Sequence, residues 1–453
     1  MVANLEPAGR LIMAYRMRTI EGSITAPRGF RAAGIFCDIK RLGTGKGSER
    51  GPKRDLALIV SDTPATVAGM FTTNQVVAAP VKICHEVVRR GTARAIVANS
   101  GNANACTGRQ GLADARAMAR EVARVLGLRP QEVLVASTGR IGVPMPMEQV
   151  RAGIQAAARE LAHGPQAAAA AAEAIMTSDT RPKQIAREWE WKGRVFRLGG
   201  IAKGAGMIHP GMSPTGRRPA SMPRHATMLA FLTTDAAVDR RSLQMALTEA
   251  VAGSFNRITV DGDMSTNDTV LLLANGCAQN EPWNIKSRAF LAFETALQQT
   301  CLDLAQMIVR DGEGVHRVVT VRVFGARNQR EADVAARSVA NSPLVKTSWH
   351  GGDPNWGRIM DALGYSSARI VEEKVDIGYA APGSTNVLWC LRRGRPTNVP
   401  FKKLCEAVAP LQFELHIRLN LGHASAVMYA TDLTEAYVEF NKGDVSDPAS
   451  LGG

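Results

Sequence analysis

The stretch His225-Ala226-Thr227-Met228-Leu229-Ala230-Phe231-Leu232-Thr233-Thr234 sets a small polar group directly against an apolar run. The run from Ala230 to Thr234 is short, apolar and rich in strand-forming residues, which predicts a buried strand. Thr227 stands just before it. A threonine hydroxyl is a weak nucleophile unless a base is at hand. One chemical solution is to cut the chain immediately before the threonine, so that its own α-amine becomes the base. Ala226 leaves a small, uncluttered bond at that point. On the residues alone, however, the preferred reading of Thr227 is an ordinary threonine at a strand edge.

Outward from this point, strands and helices alternate. Toward the amino end, Ala95–Ala98 and Glu132–Ala136 read as buried strands. Apolar residues at helical spacing predict helices over Gly111–Leu126 and from Met147 to Leu161. The alanines from Ala167 to Ala172 also read as helix. Toward the carboxyl end, Arg241–Ala252 and Ser287–Arg310 read as helices, and Thr269–Ala274 as a buried strand. Val319, Val321 and Val323 alternate as in a half-buried strand. Further strands are expected near Glu414–Leu419 and Ala426–Ala430. The pattern is that of a mixed α/β or α+β protein without internal repeats. Loops rich in Gly, Pro and Arg are expected over Gly43–Lys53 and Pro210–Arg224. The first contains Gly43-Thr44-Gly45-Lys46-Gly47-Ser48, but a glycine follows the lysine, the glycine spacing is wrong and no strand precedes it. A solvated loop fits better than a phosphate-binding loop.

The 453 residues suffice for two or three domains, or one large interwoven unit. A net charge of +14 raises nucleic-acid binding as a rival. The arginines are scattered, aromatics make up only 5%, and no zinc finger or aromatic RNA-binding motif occurs, so a basic soluble enzyme is the better reading. No apolar run is long enough to span a membrane. Seven dispersed cysteines without C-x-x-C, and eight histidines without H-E-x-x-H, argue against a disulfide framework or zinc site and suit a reducing cytoplasm. His209 and His225 read as solvated loop histidines.

Polar, glycine-bearing clusters interrupt the apolar segments at Asn99–Gly108, Ser137-Thr138-Gly139, Lys203-Gly204-Ala205-Gly206, Thr259–Asp263, Ser265–Thr269 and Asp353–Arg358. Each alone serves as turn chemistry. Their number argues for a polar site, because buried polar groups must be paired. No serine nucleophile elbow and no Cys–His pair accompany them.

These segments resemble the ornithine acetyltransferase family, also called glutamate N-acetyltransferase. The likeness runs from about Ile24 to Ser446. It is carried by Ile24-Thr25-Ala26-Pro27-Arg28-Gly29-Phe30, the asparagine-rich run after Asn99, Ser137-Thr138-Gly139-Arg140-Ile141-Gly142, Lys203-Gly204-Ala205-Gly206-Met207-Ile208 and Ala226-Thr227-Met228-Leu229-Ala230-Phe231. The run Ser254–Asn275, Val309–Gly314, Asp353–Arg358 and Asp432-Leu433-Thr434 extend it. The resemblance implies an α+β fold, a layered sandwich shared with self-cleaving aminopeptidases, with an N-terminal threonine at the junction of two chains. It implies cleavage between Ala226 and Thr227, giving an alpha chain from residue 23 to 226, behind an extension over 1–22, and a beta chain over 227–453. Thr227 is then the nucleophile, and Thr138 and Gly139 the oxyanion hole. Thr180, Lys203, Glu313, Asn441 and Ser446 contact substrate, Thr177 being the less favoured alternative to Thr180. The implied reaction moves acetyl from N-acetylornithine to glutamate by double displacement, within arginine biosynthesis. No metal or organic cofactor is implied, acetyl-CoA being an alternative donor for some members. Two alpha and two beta chains are expected to assemble, with no nucleic acid and no membrane as partners. The rival within the same fold is an amidase or aminopeptidase that uses water as acceptor. The chain departs from the family in an insertion over residues 213–225, in its amino-terminal extension, and in its carboxyl end, where Ser446 replaces a common threonine. The insertion is expected to be a flexible surface loop.

Overall fold

The computed structural model describes residues 17–40, 53–217 and 228–442. The described residues form two compact units, 17–313 with 438–442, and 314–437.

The larger unit is built on a 9-stranded mixed sheet. Its strands are β1 (Arg18–Ile20), β2 (Phe30–Ile35), β3 (Leu56–Phe71), β4 (Thr92–Asn102), β5 (Val133–Arg140), β6 (Lys183–Trp191), β7 (Arg194–Lys203) and β8 (Leu229–Thr234). A two-residue β9 (Ile258–Thr259) precedes β10 (Thr269–Ala274), which completes the sheet. The spatial order is β1-β6-β7-β8-β10-β3-β4-β5. The long β3 pairs with β2 along its first half and with β10 along its last residues. Side chains divide by the period of two. Leu56, Leu58, Val60, Ala95, Val97, Val133 and Val135 pack into one core. Ala57, Ile59, Ile96, Ala98, Leu134 and Ala136 pack into the other. Both faces are thus covered, and the strands read as continuous apolar runs rather than alternating ones.

The helices α1 (Ala79–Arg90), α2 (Gly108–Leu126), α3 (Met147–Arg159), α4 (Pro165–Ala174), α5 (Arg240–Gly253) and α6 (Arg288–Arg310) supply this cover. In α2, Gly111, Ala115, Met118, Ala119 and Val122 bury one stripe, and Gly127 ends the helix with φ near +65°. α6 packs its Ala292, Phe293, Ala296 and Leu304 stripe toward β6 and β7.

The smaller unit holds β11 (Val318–Ala326), β12 (Asp376–Ala380), β13 (Leu388–Arg392), β14 (Arg395–Pro396), β15 (Gln412–Arg418) and β16 (Ala424–Thr431), in the order β14-β13-β12-β15-β11-β16. Val319, Val321 and Val323 face its core. On the other face, Arg322 of β11 pairs with Glu414 of β15 at 2.7 Å. The helices α7 (Gln329–Asn341), α8 (Pro343–His350) and α9 (Trp356–Gly364) start on caps. The side chains of Asn328, Ser342 and Asn355 accept from the N–H groups of Glu331, Val345 and Arg358. The helix α10 (Phe401–Val408) adds Leu404 and Val408 to the same core.

Two loop expectations change. Pro210 to Ser213 is buried rather than solvated. Thr73 Oγ1 donates to the Gly211 carbonyl at 2.7 Å, and Asn256 holds both backbone groups of Met212. Ser213 exchanges two backbone hydrogen bonds with Phe71, at 2.9 and 3.0 Å. His209 is 1% exposed, so it is no solvated histidine. The cause is the polar backbone at the end of β3, which must find partners once buried and finds them in this loop. The remainder of the loop, and the P-loop-like Gly43–Ser48, lie outside the described residues. The extension expected over 1–22 also contributes to the sheet, since Arg18–Ile20 pairs antiparallel with β6.

The expected surface loop over 213–225 therefore begins with an anchored residue. Deleting 218–225 should leave the urea-unfolding midpoint close to wild type, because loop closure costs only about 0.6 kcal/mol per doubling of length in the uncut chain and nothing once the segment ends at a cut. Deleting 213–225 strands the buried N–H and C=O of Phe71 and should cost about 1–3 kcal/mol for each. Equal midpoints for the two deletions would return Ser213 to the loop.

Candidate active site

β7 delivers Lys203 into the larger unit, where it is 3% exposed. Its Nζ donates to Thr138 Oγ1 on β5 at 3.2 Å. Because the ammonium occupies a lone pair of that oxygen, the Thr138 hydroxyl proton is left to donate elsewhere. The next residue, Gly139, has φ near +130° and packs against Gly101 so closely that a Cβ would fall 2.3 Å from the Gly101 carbonyl carbon. Only glycine fits there, because the backbone of β4 fills the space a side chain would need.

The cation at Lys203 is surrounded by acids. Burial lowers its pKa, opposed by Asp179, Glu313 and Asp268, while Lys183 adds to the lowering. Asp179 accepts from the Gly204 N–H at 2.8 Å and from Lys183 Nζ at 2.5 Å. Burial pushes Asp179 up, but Lys183, Lys203 and that N–H outweigh it and bring its pKa down to about 2. Lys183 also pairs with Asp311. Asp311 in turn accepts from both the N–H and the hydroxyl of Thr180. Thr180 is exposed, and its neighbour Thr177 turns its N–H to Asp179. Glu313 sits against Gly206, where a Cβ would fall 2.3 Å from its carboxyl carbon. Asn441 Nδ2 donates to Glu313 Oε2 at 3.0 Å.

The structure thus brings Thr138, Gly139, Lys203, Glu313 and Asn441 into one neighbourhood, with Thr180 joined to it through Asp311, Lys183 and Asp179. Ala226, Thr227 and Ser446 lie outside the described residues. The residue after Thr227 is described. Met228 donates its backbone N–H to Asp268, and its carbonyl accepts from Thr269 at 3.0 Å. Asp268 is fully buried, and its second oxygen, Oδ2, has no partner among the described residues. Burial holds its pKa well above the ordinary carboxylate range, against the Met228 hydrogen bond and Lys203.

The sequence profile of the ArgJ family matches residues 31–443. The chain belongs to the ArgJ family. It is 46% identical over 425 residues to the arginine biosynthesis bifunctional protein ArgJ of Symbiobacterium thermophilum, spanning 94% of this chain and 99% of that one. It is 41% identical over 430 residues to the glutamate N-acetyltransferase of Methanocaldococcus jannaschii, spanning 94% and 99%. Among solved structures, the ornithine acetyltransferase of Mycobacterium tuberculosis complexed with ornithine is 40% identical, covering 44% of this chain and 100% of that chain, with a TM-score of 0.39.

Within this ArgJ-family chain, Asp179, Lys183 and Asp311 join the site without a role read from the sequence, whereas Asp268 belongs to the polar cluster Ser265–Thr269 but received no role of its own. Asp268 had a signal, an acid immediately before the strand Thr269–Ala274, which is apolar after its first residue and buried throughout. An acid in that position must be buried with the strand, and burial of a carboxyl is costly unless it serves a purpose. Its raised pKa has a consequence for stability. The folded chain holds this proton more tightly than the unfolded one, so the associated stability is present below about pH 4 and is lost as pH rises through the folded value. Asp268→Asn removes that loss while keeping an acceptor for Met228. Burial raises Asp235 and Asp261 as well, and they retain their share of the slope. Urea midpoints measured from pH 4 to pH 8 should therefore decline less steeply in the variant. Parallel declines would show that Asp268 is already ionised in the folded chain.

Proposed function

We propose that this chain transfers the acetyl group of N-acetylornithine to glutamate through an acetyl ester on Thr227. The reading is carried by the buried Lys203–Thr138 contact at 3.2 Å, which leaves a hydroxyl donor next to Gly139. It rests also on membership of a family whose relatives are named for arginine biosynthesis and glutamate acetylation.

In this reading Thr227 Oγ first attacks the Ala226 carbonyl, the C–N bond breaks to give an ester and a free α-amine, and water hydrolyses the ester, which leaves a carboxylate on Ala226 and restores the Thr227 hydroxyl. Thr227 Oγ attacks the acetyl carbonyl carbon and its proton passes to that amine. The oxyanion so formed accepts from the Thr138 hydroxyl and the Gly139 N–H, a contribution of about 3–4 kcal/mol for a preorganised donor. Collapse breaks the C–N bond, and the ornithine amine leaves with the proton held by Thr227. The amine of glutamate then attacks the ester and the steps reverse, giving N-acetylglutamate. Glu313 meets the ammonium end of an ornithine-type ligand and Lys203 a carboxylate, the complementary pair that an amino-acid substrate requires. Thr180, Asn441 and Ser446 complete the substrate contacts. The chemistry uses no metal or organic cofactor, and acetyl-CoA acts as an alternative donor if acetyl transfer from it is observed. Two alpha and two beta chains make up the working assembly. A cytoplasmic location belongs to the same reading, supported by seven free thiols, which suit a reducing compartment.

Initial rates varied in both substrates should give parallel double-reciprocal lines, and a brief reaction without glutamate should leave the chain that begins at Thr227 heavier by one acetyl group. Intersecting lines with no acetylated chain would replace the ester by direct transfer. Release of acetate without N-acetylglutamate would make the chain an amidase.

A further inference from the structure

In the smaller unit, three side chains converge where β11 begins and where α8 and β16 end. His316 precedes β11, His350 is the last residue of α8, and Asp432 follows β16. One donor atom from each lies within 4.8 Å of the others. The Asp432 side chain is fully buried. Its Oδ1 accepts from the His316 backbone N–H at 3.0 Å, but its Oδ2 has no hydrogen-bond partner among the described residues. His350 Nδ1 is also buried without a hydrogen-bond partner and lies 3.4 Å from that oxygen. His316 Nδ1 lies 4.0 Å from it.

Two atoms left unsatisfied side by side are costly, and such pairs call for an explanation. A bond between them does not supply one, since the 3.4 Å contact fails as a hydrogen bond. The spacing of His350 and Asp432 suits a metal ion, and the more exposed His316 ring, at 4.0 Å, has to close in slightly to join them. Ligands about 2.1 Å from a tetrahedral ion lie about 3.4 Å from one another. The rings of His316 and His350 stand nearly perpendicular, with centroids 6.0 Å apart. His350 Nε2 meets Glu435 Oε2 at 2.8 Å. A carboxylate in that place takes the Nε2 proton, leaves the Nδ1 lone pair free and fixes the ring, as the outer partner of a metal-bound histidine does. The carboxyl end of α8 adds a favourable field for a cation. One group competes. Arg317 Nη1 lies 3.2 Å from His316 Nδ1 and also donates to the His350 carbonyl at 2.6 Å. An ion displaces the first of these contacts and leaves the second.

We infer that His316, His350 and Asp432 form a binding site for a divalent transition metal ion, with zinc as the natural probe. Two imidazoles and one carboxylate with remaining open positions are the donor set for such an ion rather than for calcium or magnesium, which take oxygen ligands. The site clamps the ends of three elements of one unit and plays no part in acetyl transfer.

The whole chain, dialysed against chelator and titrated with zinc chloride at pH 7.5 in a calorimeter, should bind one ion at the site. His350→Phe and His316→Thr should each weaken that binding at least tenfold, on the scale of about 10–100-fold known for lesser, outer partners of a metal. Asp432→Asn keeps the acceptor for the His316 N–H and should do the same. Zinc should raise the melting temperature of the wild type and not of the three variants, while acetyl transfer stays unchanged. Cobalt in place of zinc should give visible absorption bands that vanish in His350→Phe. If Asp432→Asn does not fold, the two histidine variants decide the matter. Absence of binding in the wild type, or binding that the histidine variants leave intact, overturns the inference.

Discussion

Thr227→Ala should give a single uncleaved chain that transfers no acetyl group. One hydroxyl is asked to serve twice, first attacking the carbonyl of Ala226 and then the acetyl donor. Alanine removes it from both steps, and the uncut chain also lacks the α-amine that acts as base. Turnover should fall by at least about 10⁴-fold, on the scale seen when a nucleophile is removed from an acyl-transfer site. The denatured wild type should show two masses, residues 1–226 and 227–453, and the variant one. Under native conditions the two wild-type chains should stay together. β7, which ends at Lys203, and β8, which begins at Leu229, are antiparallel neighbours in one sheet. β8 is in turn paired along its length with β10. Cutting between residues 226 and 227 breaks none of those hydrogen bonds. A wild type that is fully active as one chain would remove the α-amine from the mechanism. A variant that still cleaves would move the nucleophile elsewhere.

Thr138→Ala should lower turnover by about 10²–10³, the cost of one missing oxyanion donor. Its hydroxyl is 2% exposed as a residue and accepts from Lys203, so its proton is free for a ligand oxygen. The substitution also leaves the Lys203 ammonium buried without its hydroxyl partner, an effect that falls on binding as well as on turnover. Thr138→Ser separates the two. Serine restores the hydroxyl and should recover most of the turnover, whereas a purely packing role for the Thr138 methyl would leave serine as poor as alanine. Measured kcat and KM for the three chains decide the question. Unchanged turnover in Thr138→Ala takes Thr138 out of the oxyanion hole.

Much of the framework was legible in the chain itself. The strand Thr269–Ala274 and the helix ending at Arg310 fall where apolar period and length place them. Such elements are set by local pattern, because a run buried on both faces or a stripe at helical spacing has few alternatives. The helix expected from Gly111 begins earlier, at Gly108, since the helix start depends on the polar loop before it. Thr138, Lys203 and Glu313 were reached through likeness of ordered motifs, not through spacing, for they are far apart in sequence and share no period.

What the sequence by itself determined is the elements with a clear apolar pattern, such as Thr269–Ala274 and the helix ending at Arg310, and the family to which the chain belongs, whereas β2, β3, β6, β7 and α1 carried no such signal. Only the tertiary structure decided which polar residues meet. Asp268 beneath Met228, the Asp179–Lys183–Asp311 network, the burial of His209 and the anchoring of Ser213 all arise where strand ends from distant parts of the chain converge. So does the cluster of His316, His350 and Asp432, which no local motif announces. The physical reason is common to them. A buried polar group is tolerated only if it finds a partner, and the partner is supplied by whichever element the sheet order places alongside, a relation that neither hydrophobic period nor turn chemistry encodes.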